Sequence, residues 1–384
     1  MSMNAYISGV YDTQVGELPG SSCMGLHAEA AFGAIRDAGL EPADIDGVLC
    51  AYSFTQPHLM LASVFCEYTG IHPNFCAAVQ AGGASAAIMV MQAAALVASG
   101  QCKHVLVVTG DNRLTGMSRD GAIAALAEVG HPEFERPCGI SVPASYALVA
   151  QRYMHEFKVS PEHLAAIAVE HRRHAGLHPQ AHKREQISLA DVMQSREICS
   201  PLRLLDCCQI SDGGAAMVIS SRGASSVSQK RSVEILGAGQ GHTHEHIVAA
   251  PSLTDFGCKA SSARAFDIAG IKPRDIDVAE IYDSFTITLL VELESIGFFE
   301  RGDAGPAALK GELGLRGVLP CNTHGGLLSY GHSGAAGGMF HAVEAVRQLR
   351  GEADERQVPD ARLAFVHGDG GILSAHCSLV LGAL

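Results

Sequence analysis

The sequence predicts an α/β fold with covered sheets, built from two copies of one unit, and three observations support this. A short motif recurs at half-chain distance. Each copy leads from a helical pattern into a β-prone run, and each half carries a glycine-rich turn that opens an apolar helix. The motif is "AGLEPADID" at 38–46, which returns as "AGIKPRDID" at 269–277; six of the nine positions are identical and the offset is 269 − 38 = 231. The register continues into "YSF" at 52–54 against "DSF" at 283–285. Recurrence at this distance points to duplication.

In each copy a helix is predicted to end at "AG", a Pro-Asp turn follows, and a strand begins, "GVLCAYSF" in the first half and "VAEIYDSF" in the second. The glycine turns come next: "VQAGGASAAIMVMQAA" in the first half and "SYGHSGAAGGMFHAVEA" in the second, which read as symmetry mates. The helix at 84–99 is nearly free of charge and is expected to be buried on all sides. Strands alternating with helices favour sheets covered on both faces. Between the halves, roughly 112–250, lies a segment of different texture; its "EHRRHAGLHPQAHKREQ" concentrates positive charge in an otherwise acidic chain. The densest glycine cluster is "CNTHGGLLSYGHSGAAGG" at 321–338, with six glycines, two histidines and a tyrosine. Glycines gather where backbone turns sharply or comes close to another group.

Composition narrows the function classes. A chain of 384 residues with 47% hydrophobic content fills one large or two ordinary cores. The net charge of −13 argues against a nucleic-acid surface, and there is no Walker loop or dinucleotide fingerprint. The twelve cysteines are scattered, without CxxC pairs or zinc-like His/Cys spacing, and no secretory leader is evident. They read as reduced thiols in a cytoplasmic protein, with no metal and no membrane span expected.

The duplicated halves, the central "PLRLLDCCQISDGGAAMVIS", the "AEIYDSFT" strand end and "NTHGGLLSYGHSGAAGG" together resemble the thiolase superfamily, in particular the branch of the sterol-carrier-protein thiolases. The resemblance covers nearly the whole chain. It implies the duplicated five-layer αβαβα thiolase fold, an acyl-CoA substrate and a homodimer. The domains it implies are an N-terminal half at 1–111 and 203–235, a loop domain inserted at 112–202, and a C-terminal half at 236–384.

Departures from the family pattern define the chemistry. A thiolase carries its nucleophilic cysteine on a helix N-terminus in the first-half turn, and that "CAS" aligns here with Gly83-Ala84-Ser85. Cys76 lies seven residues upstream and is not a substitute. The second thiolase cysteine belongs in a "CxG" turn, where this chain has "VHGDGGILS" with His367 in its place. The branch's "HDCF" histidine is replaced by Tyr282 of Tyr282-Asp283-Ser284-Phe285, while the histidine of the "GH" turn survives as His332. Chemistry through an acyl-enzyme is therefore not expected.

The pattern is similar to the thiolase-like aldolases of steroid side-chain degradation, which lack that cysteine and work with a DUF35-type OB-fold protein. The resemblance implies retro-aldol cleavage of a β-hydroxyacyl-CoA into a ketone and a shorter acyl-CoA such as propionyl-CoA, with no cofactor beyond the CoA of the substrate. Tyr282 and Tyr330 are the expected acid and base. His332 and the backbone N–H groups of Gly82 and Gly83 are expected to stabilise the enolate, with His367, Asp369 and Asn322 in support. Asp283 and Asn322 fit turn and capping roles equally well. Arg172, Arg173, Lys183 and Arg184 are candidates for the CoA phosphates or merely a solvated face. A non-catalytic subunit supporting a partner enzyme, or an acyl-CoA or lipid carrier, are the alternatives; neither needs two phenols at formerly catalytic turns.

Overall fold

A computed structural model describes residues 3–221 and 230–384, the side chain of Arg119 aside, so that 222–229 of the expected 203–235 segment lie outside the described residues. The first half runs β1 (Ala5–Asp12), α1 (Cys23–Asp37), β2 (Gly47–Ala51), α2 (Leu61–Thr69), β3 (Phe75–Val79), α3 (Ser85–Ala98) and β4 (His104–Asn112). The next segment supplies α4 (Arg119–Ala127), α5 (Val142–Phe157), α6 (Pro161–Leu177), α7 (Leu189–Gln194) and a small hairpin of β5 (Glu197–Cys199) and β6 (Leu202–Arg203). The chain returns to the first sheet as β7 (Asp212–Ser221). The second half is β8 (Val233–His242), α8 (Cys258–Ala269), β9 (Val278–Ile281), α9 (Thr286–Ile296), α10 (Ala304–Leu309), α11 (Gly326–Ser329), α12 (Ala335–Arg350), β10 (Leu363–Gly370) and β11 (Ala375–Ala383).

Strand order makes the duplication explicit. The strands run β3-β2-β4-β7-β1-β8-β11-β10-β9, and the halves join where Tyr6 and Ile7 of β1 pair with Glu234 and Val233 of β8. Read outward from that seam, the order β1, β7, β4, β2, β3 is mirrored by β8, β11, β10, β9. The counterpart of β3 shrinks to one bridge between Ala279 and Cys321.

The repeated motif does the same work twice. α1 and α8 end before left-handed Gly39 and Gly270, and Asp44 and Asp275 each accept the backbone N–H at the start of their 3₁₀ turn at 2.8 Å. Asp46 then receives the N–H groups of Lys103 and His104 at the head of β4, as Asp277 receives those of Arg362 and Leu363 at the head of β10.

The two half-sheets fold over a shared inner layer of α3 and α12. Met89 and Val90 of α3 and Val343 and Val346 of α12 pack with Val107 and Met217 of one half and Val366 and Leu379 of the other. Outside, α1 and α2 cover the first half through Ala34 and Phe65, and α8 and α9 cover the second through Phe266 and Leu290. Neighbouring residues of one strand face different layers, Phe365 outward and Val366 inward, as a two-residue period requires. These are five layers.

One expectation is corrected. α3 is enclosed from Ser85 to Val90, but Gln92, Ala95 and Ala98 are exposed beside the edge strand β3. Among the described residues no helix is long and apolar enough to cross a membrane.

Candidate active site

The noses of α3 and α12 meet at the centre of the molecule, and their approach is set by missing side chains. A Cβ added to Gly338 of α12 would collide with the Gly83 carbonyl, and one added to Gly370 would collide with that of Ala81. Gly82, at φ +56°, lies against the backbone of Gly370 and Gly371. In the 321–338 loop, Gly326 at φ +62° leaves room for the Asp283 carboxylate. The approach that these glycines permit is to the protein's own backbone and side chains.

Gly83 admits something else. A Cβ built on it would fall inside the envelope of the Tyr282 ring, against Cζ and the hydroxyl oxygen. The phenol of Tyr282 thus fills the space into which a side chain on the first-half turn would project. Tyr282 itself is 5% exposed.

Two expected catalytic side chains meet here. His332 Nε2 lies 2.7 Å from the Tyr282 hydroxyl oxygen, and the other ring nitrogen, Nδ1, lies 3.0 Å from Arg113 Nη1. A guanidinium only donates, so Nδ1 accepts and the proton of the neutral ring sits on Nε2. Burial and the Arg113 charge push the His332 pKa down to about 3, which keeps the ring neutral. His332 therefore donates to Tyr282. Burial, with Tyr52, Cys208 and Asp369 nearby, raises the Tyr282 pKa well above its usual 10 despite Arg113. Tyr282 is thus a phenol that accepts from His332 and keeps its own proton to offer elsewhere.

Sequence reasoning missed Arg113 and Tyr52. Arg113 follows β4, stacks on Phe54 at 4.5 Å and is buried. Its partner His332 is 219 residues away, so no local pattern marks it. Cys208 also belongs to this neighbourhood, but burial pushes its thiol up to about 12, which makes it a poor nucleophile. Cys76 lies on β3 with its sulfur 3.7 Å from that of Cys66.

The strand end that carries Tyr282 is pinned from several sides. The Asn322 side chain accepts from Ile281 N at 2.7 Å and donates to Ile281 O at 2.8 Å, so it extends the sheet and does not reach the reacting centre. Tyr282 N donates to His367 O at 3.0 Å. Asp283 accepts from Leu327 N at 2.7 Å and pairs with His171 at 2.8 Å and His341 at 3.4 Å. Burial opposes the charge on Asp283, but the two histidines outweigh it and hold the carboxyl well below its usual range. Burial likewise opposes the charge on His341, yet Asp283 and Glu280 carry its pKa up to about 9.

Other expected residues stand apart. Tyr330 is fully buried, and its hydroxyl donates to Asp12 at 2.5 Å, inside an ion pair of Asp12 with Arg347. His178, His324 and Phe340 pack around its ring. The structure does not bring this phenol to Tyr282, because the position lies in the inner layer and its proton is committed. His367 and Asp369 point to the outer side of β10, where His367 bonds Ser378 and Asp369 accepts from Tyr146. Of the basic candidates, Arg172 is buried on Ser329 and Glu185, and Arg173 pairs with Glu170; Lys183 and Arg184 are exposed.

Two outcomes test this geometry. Gly83→Ala should destabilise the chain by about 1–3 kcal/mol through overpacking against Tyr282. The same change in a Tyr282→Ala background should cost less than about 0.5 kcal/mol, a coupling that urea melts of the four proteins measure directly. The second outcome concerns pH. The stabilising charge of His341 is complete below its ordinary 6.5 and is lost as pH rises through about 9. The stability difference between wild type and His341→Gln should therefore shrink between pH 7 and 10; a constant difference contradicts the pairing.

Residues 6–223 match the family model described as the thiolase N-terminal domain, and residues 239–383 match the thiolase C-terminal domain-like family. The chain is 33% identical over 379 residues to an acetyl-CoA acetyltransferase of Methanothermobacter thermautotrophicus, with 96% of this chain and 98% of that protein covered. It is 34% identical over 401 aligned positions to a steroid side-chain-cleaving aldolase of Thermomonospora curvata, at 99% and 98% coverage. The solved structure of an Ltp2-ChsH2(DUF35) aldolase superposes with a TM-score of 0.88 at 34% identity, covering 100% of this chain and 98% of that one. Relatives of equal similarity carry names of different activities, so the site has to decide between them. With both halves matched and full-length relatives above 30% identity, the chain belongs to the thiolase superfamily.

Proposed function

We propose that this protein is a carbon–carbon lyase that cleaves a β-hydroxyacyl-CoA, a steroid side-chain thioester, into a ketone and a shorter acyl-CoA such as propionyl-CoA, with no acyl-enzyme and no cofactor. The observation that carries the reading is the Tyr282 phenol in the space above Gly83, hydrogen-bonded to His332. An acyl transferase needs a thiol there, whereas retro-aldol cleavage needs a proton donor at the carbon that becomes the enolate. Steroid side-chain cleavage in the T. curvata relative supports the substrate class.

In this mechanism the β-hydroxyl loses its proton and its oxygen forms the ketone C=O. The Cα–Cβ bond breaks, and its electron pair becomes the thioester enolate. Tyr282 gives its proton to Cα. Its oxygen is then stabilised by the His332 N–H and the Arg113 charge, and the N-terminus of α3 at Gly82 and Gly83 favours the enolate oxygen. The proton lost by the hydroxyl replaces the one that Tyr282 gave, so the count closes. Tyr52, half-buried and near enough for its charge to raise the Tyr282 pKa, takes the second acid/base role that was expected of Tyr330. Tyr330, bonded to Asp12, holds β1 to the end of α11. Lys183 and Arg184 remain the candidates for the CoA phosphates.

Assembly follows from the edge of the first half. β3, of sequence FCAAV, is an edge strand that pairs with β2 alone among the described residues, and beside it α3 exposes Ala95 and Ala98. An open apolar edge is completed most simply by its own twofold copy, which supports a homodimer. The solved Ltp2-ChsH2(DUF35) aldolase supports an OB-fold protein of the DUF35 type as a further partner.

The test is to co-express the chain with DUF35 candidates and assay ketone release from a tertiary β-hydroxyacyl-CoA; no turnover with any steroid or simple acyl chain overturns the reading. Tyr282→Phe should lower kcat at least about a hundredfold with little change in KM. His332→Ala should lower kcat by a similar factor, about 3 kcal/mol of transition-state stabilisation. Tyr330→Phe should retain more than a tenth of turnover while lowering Tm, and Cys208→Ala should remain active. For assembly, Ala78→Glu on the exposed face of β3 should turn a dimer into a folded monomer in light scattering.

A further inference from the structure

On the outer side of β10 a second set of side chains converges. His367 and Asp369 occupy alternate positions of β10 and so share a face, and His376 is the cross-strand partner of Asp369 on β11. Glu292 of α9 packs down onto them. All four are buried, none more than 1% exposed. His367 Nε2 is 3.1 Å from His376 Nδ1, and Glu292 Oε1 is 3.4 Å from the first nitrogen and 3.7 Å from the second. Asp369 Oδ1 is 3.9 Å from His376 Nδ1.

Hydrogen-bond direction fixes which atoms face the centre. Ser261 gives its one proton to the Cys258 carbonyl, so the Ser378 hydroxyl must donate to Ser261. The Ser378 oxygen is then left to accept from His367 Nδ1, which makes His367 Nε2 a bare lone pair. His376 Nε2 donates to the Leu373 carbonyl, so His376 Nδ1 is bare as well. Two lone pairs thus face each other across 3.1 Å. Beside them, both oxygens of Glu292 and Oδ1 of Asp369 are buried without a hydrogen-bond partner. Among the described residues the ion-pair partners of Glu292 are these two histidines alone.

We propose that Glu292, His367 and His376, with the Asp369 carboxylate beside His376, form a buried structural site for a divalent transition-metal ion, zinc(II), which ties α9 to the β10–β11 pair. Two carboxylates and two neutral imidazoles balance one divalent cation. In a tetrahedral zinc site with bonds of about 2.0–2.2 Å, ligand atoms stand roughly 3.3–3.6 Å apart, and the three ligand atoms here stand 3.1, 3.4 and 3.7 Å apart. Nitrogen and carboxylate donors without thiolate suit zinc, and the second ring nitrogen of each histidine is already held by a serine or a carbonyl, as metal-bound histidines require. The ligands are spread over 85 residues, 292 to 376, and include no cysteine, which is why no metal was expected from spacing. The other His-carboxylate cluster, Glu280 with His324 and His341, is balanced by the charge on His341 and carries no such demand.

The site does not depend on the reaction proposed above, and its readout is metal content. Chain produced in zinc-supplemented medium and purified as its native assembly without chelator should contain about one zinc per chain by mass spectrometry. Glu292→Gln and His376→Asn should each fall at least tenfold below that, and cobalt(II)-grown protein should show the visible bands of four-coordinate cobalt. Should the variants fail to fold, guanidinium unfolding of wild type in the presence of a chromogenic chelator should release zinc in step with loss of ellipticity. Less than a tenth of an equivalent in wild type, or variants that keep full zinc, overturns the proposal, since a buried proton shared by Glu292 and a histidine would then satisfy the cluster.

Discussion

The site rests on one exclusion of volume. The α3 nose and the β9 strand end approach so closely that position 83 has no Cβ when position 282 carries an aromatic ring. Thiol chemistry needs a side chain on the helix nose, and phenol chemistry needs that space vacated. The two residues are 199 positions apart, yet they form a single structural choice. Every nearby feature respects it: the glycines of β10 let the turn at 81–84 sink against the strand, and Gly338 lets α12 cross it.

Around that choice the fold arranges polarity in one direction. Arg113 donates to His332, and His332 donates to Tyr282, so the chain of donors ends on a phenol whose proton is free. Beneath it, Asn322, Asp283, His171 and His341 hold the strand end with bonds to backbone and to each other. These buried charges are paired, which is the condition for keeping them out of water. The inserted helices contribute His171, so the segment between β4 and β7 supports the second half of the fold as well as covering it.

The duplicated architecture was legible because Pro-Asp turns and glycine caps leave local signatures, and "AGLEPADID" and "AGIKPRDID" close equivalent loops with equivalent aspartates. Tyr282, His332 and Gly83 were legible by their places in the motif. Arg113 and Tyr52 were not, because their role depends on contacts across the fold. Tyr330 was misplaced for a related reason. The position just before the "GH" turn is the C-cap of a short helix, α11, and it faces the inner layer, where the hydroxyl finds Asp12. Proximity in sequence to His332 did not mean proximity of side chains. The cluster of Glu292, His367 and His376 was hidden because its donors come from three elements and follow no spacing rule.

The central claim is that a phenol and not a thiol works at the α3 nose. A rapid-quench experiment tests it most directly. The assembled enzyme is mixed in D₂O with a stoichiometric β-hydroxyacyl-CoA, and both the intact chain and the released acyl-CoA are weighed by mass spectrometry. The account predicts an unmodified chain at every time point and one deuterium at Cα of the product, delivered by an exchangeable protein proton. An acyl adduct on any cysteine that forms and decays at the rate of turnover would contradict it.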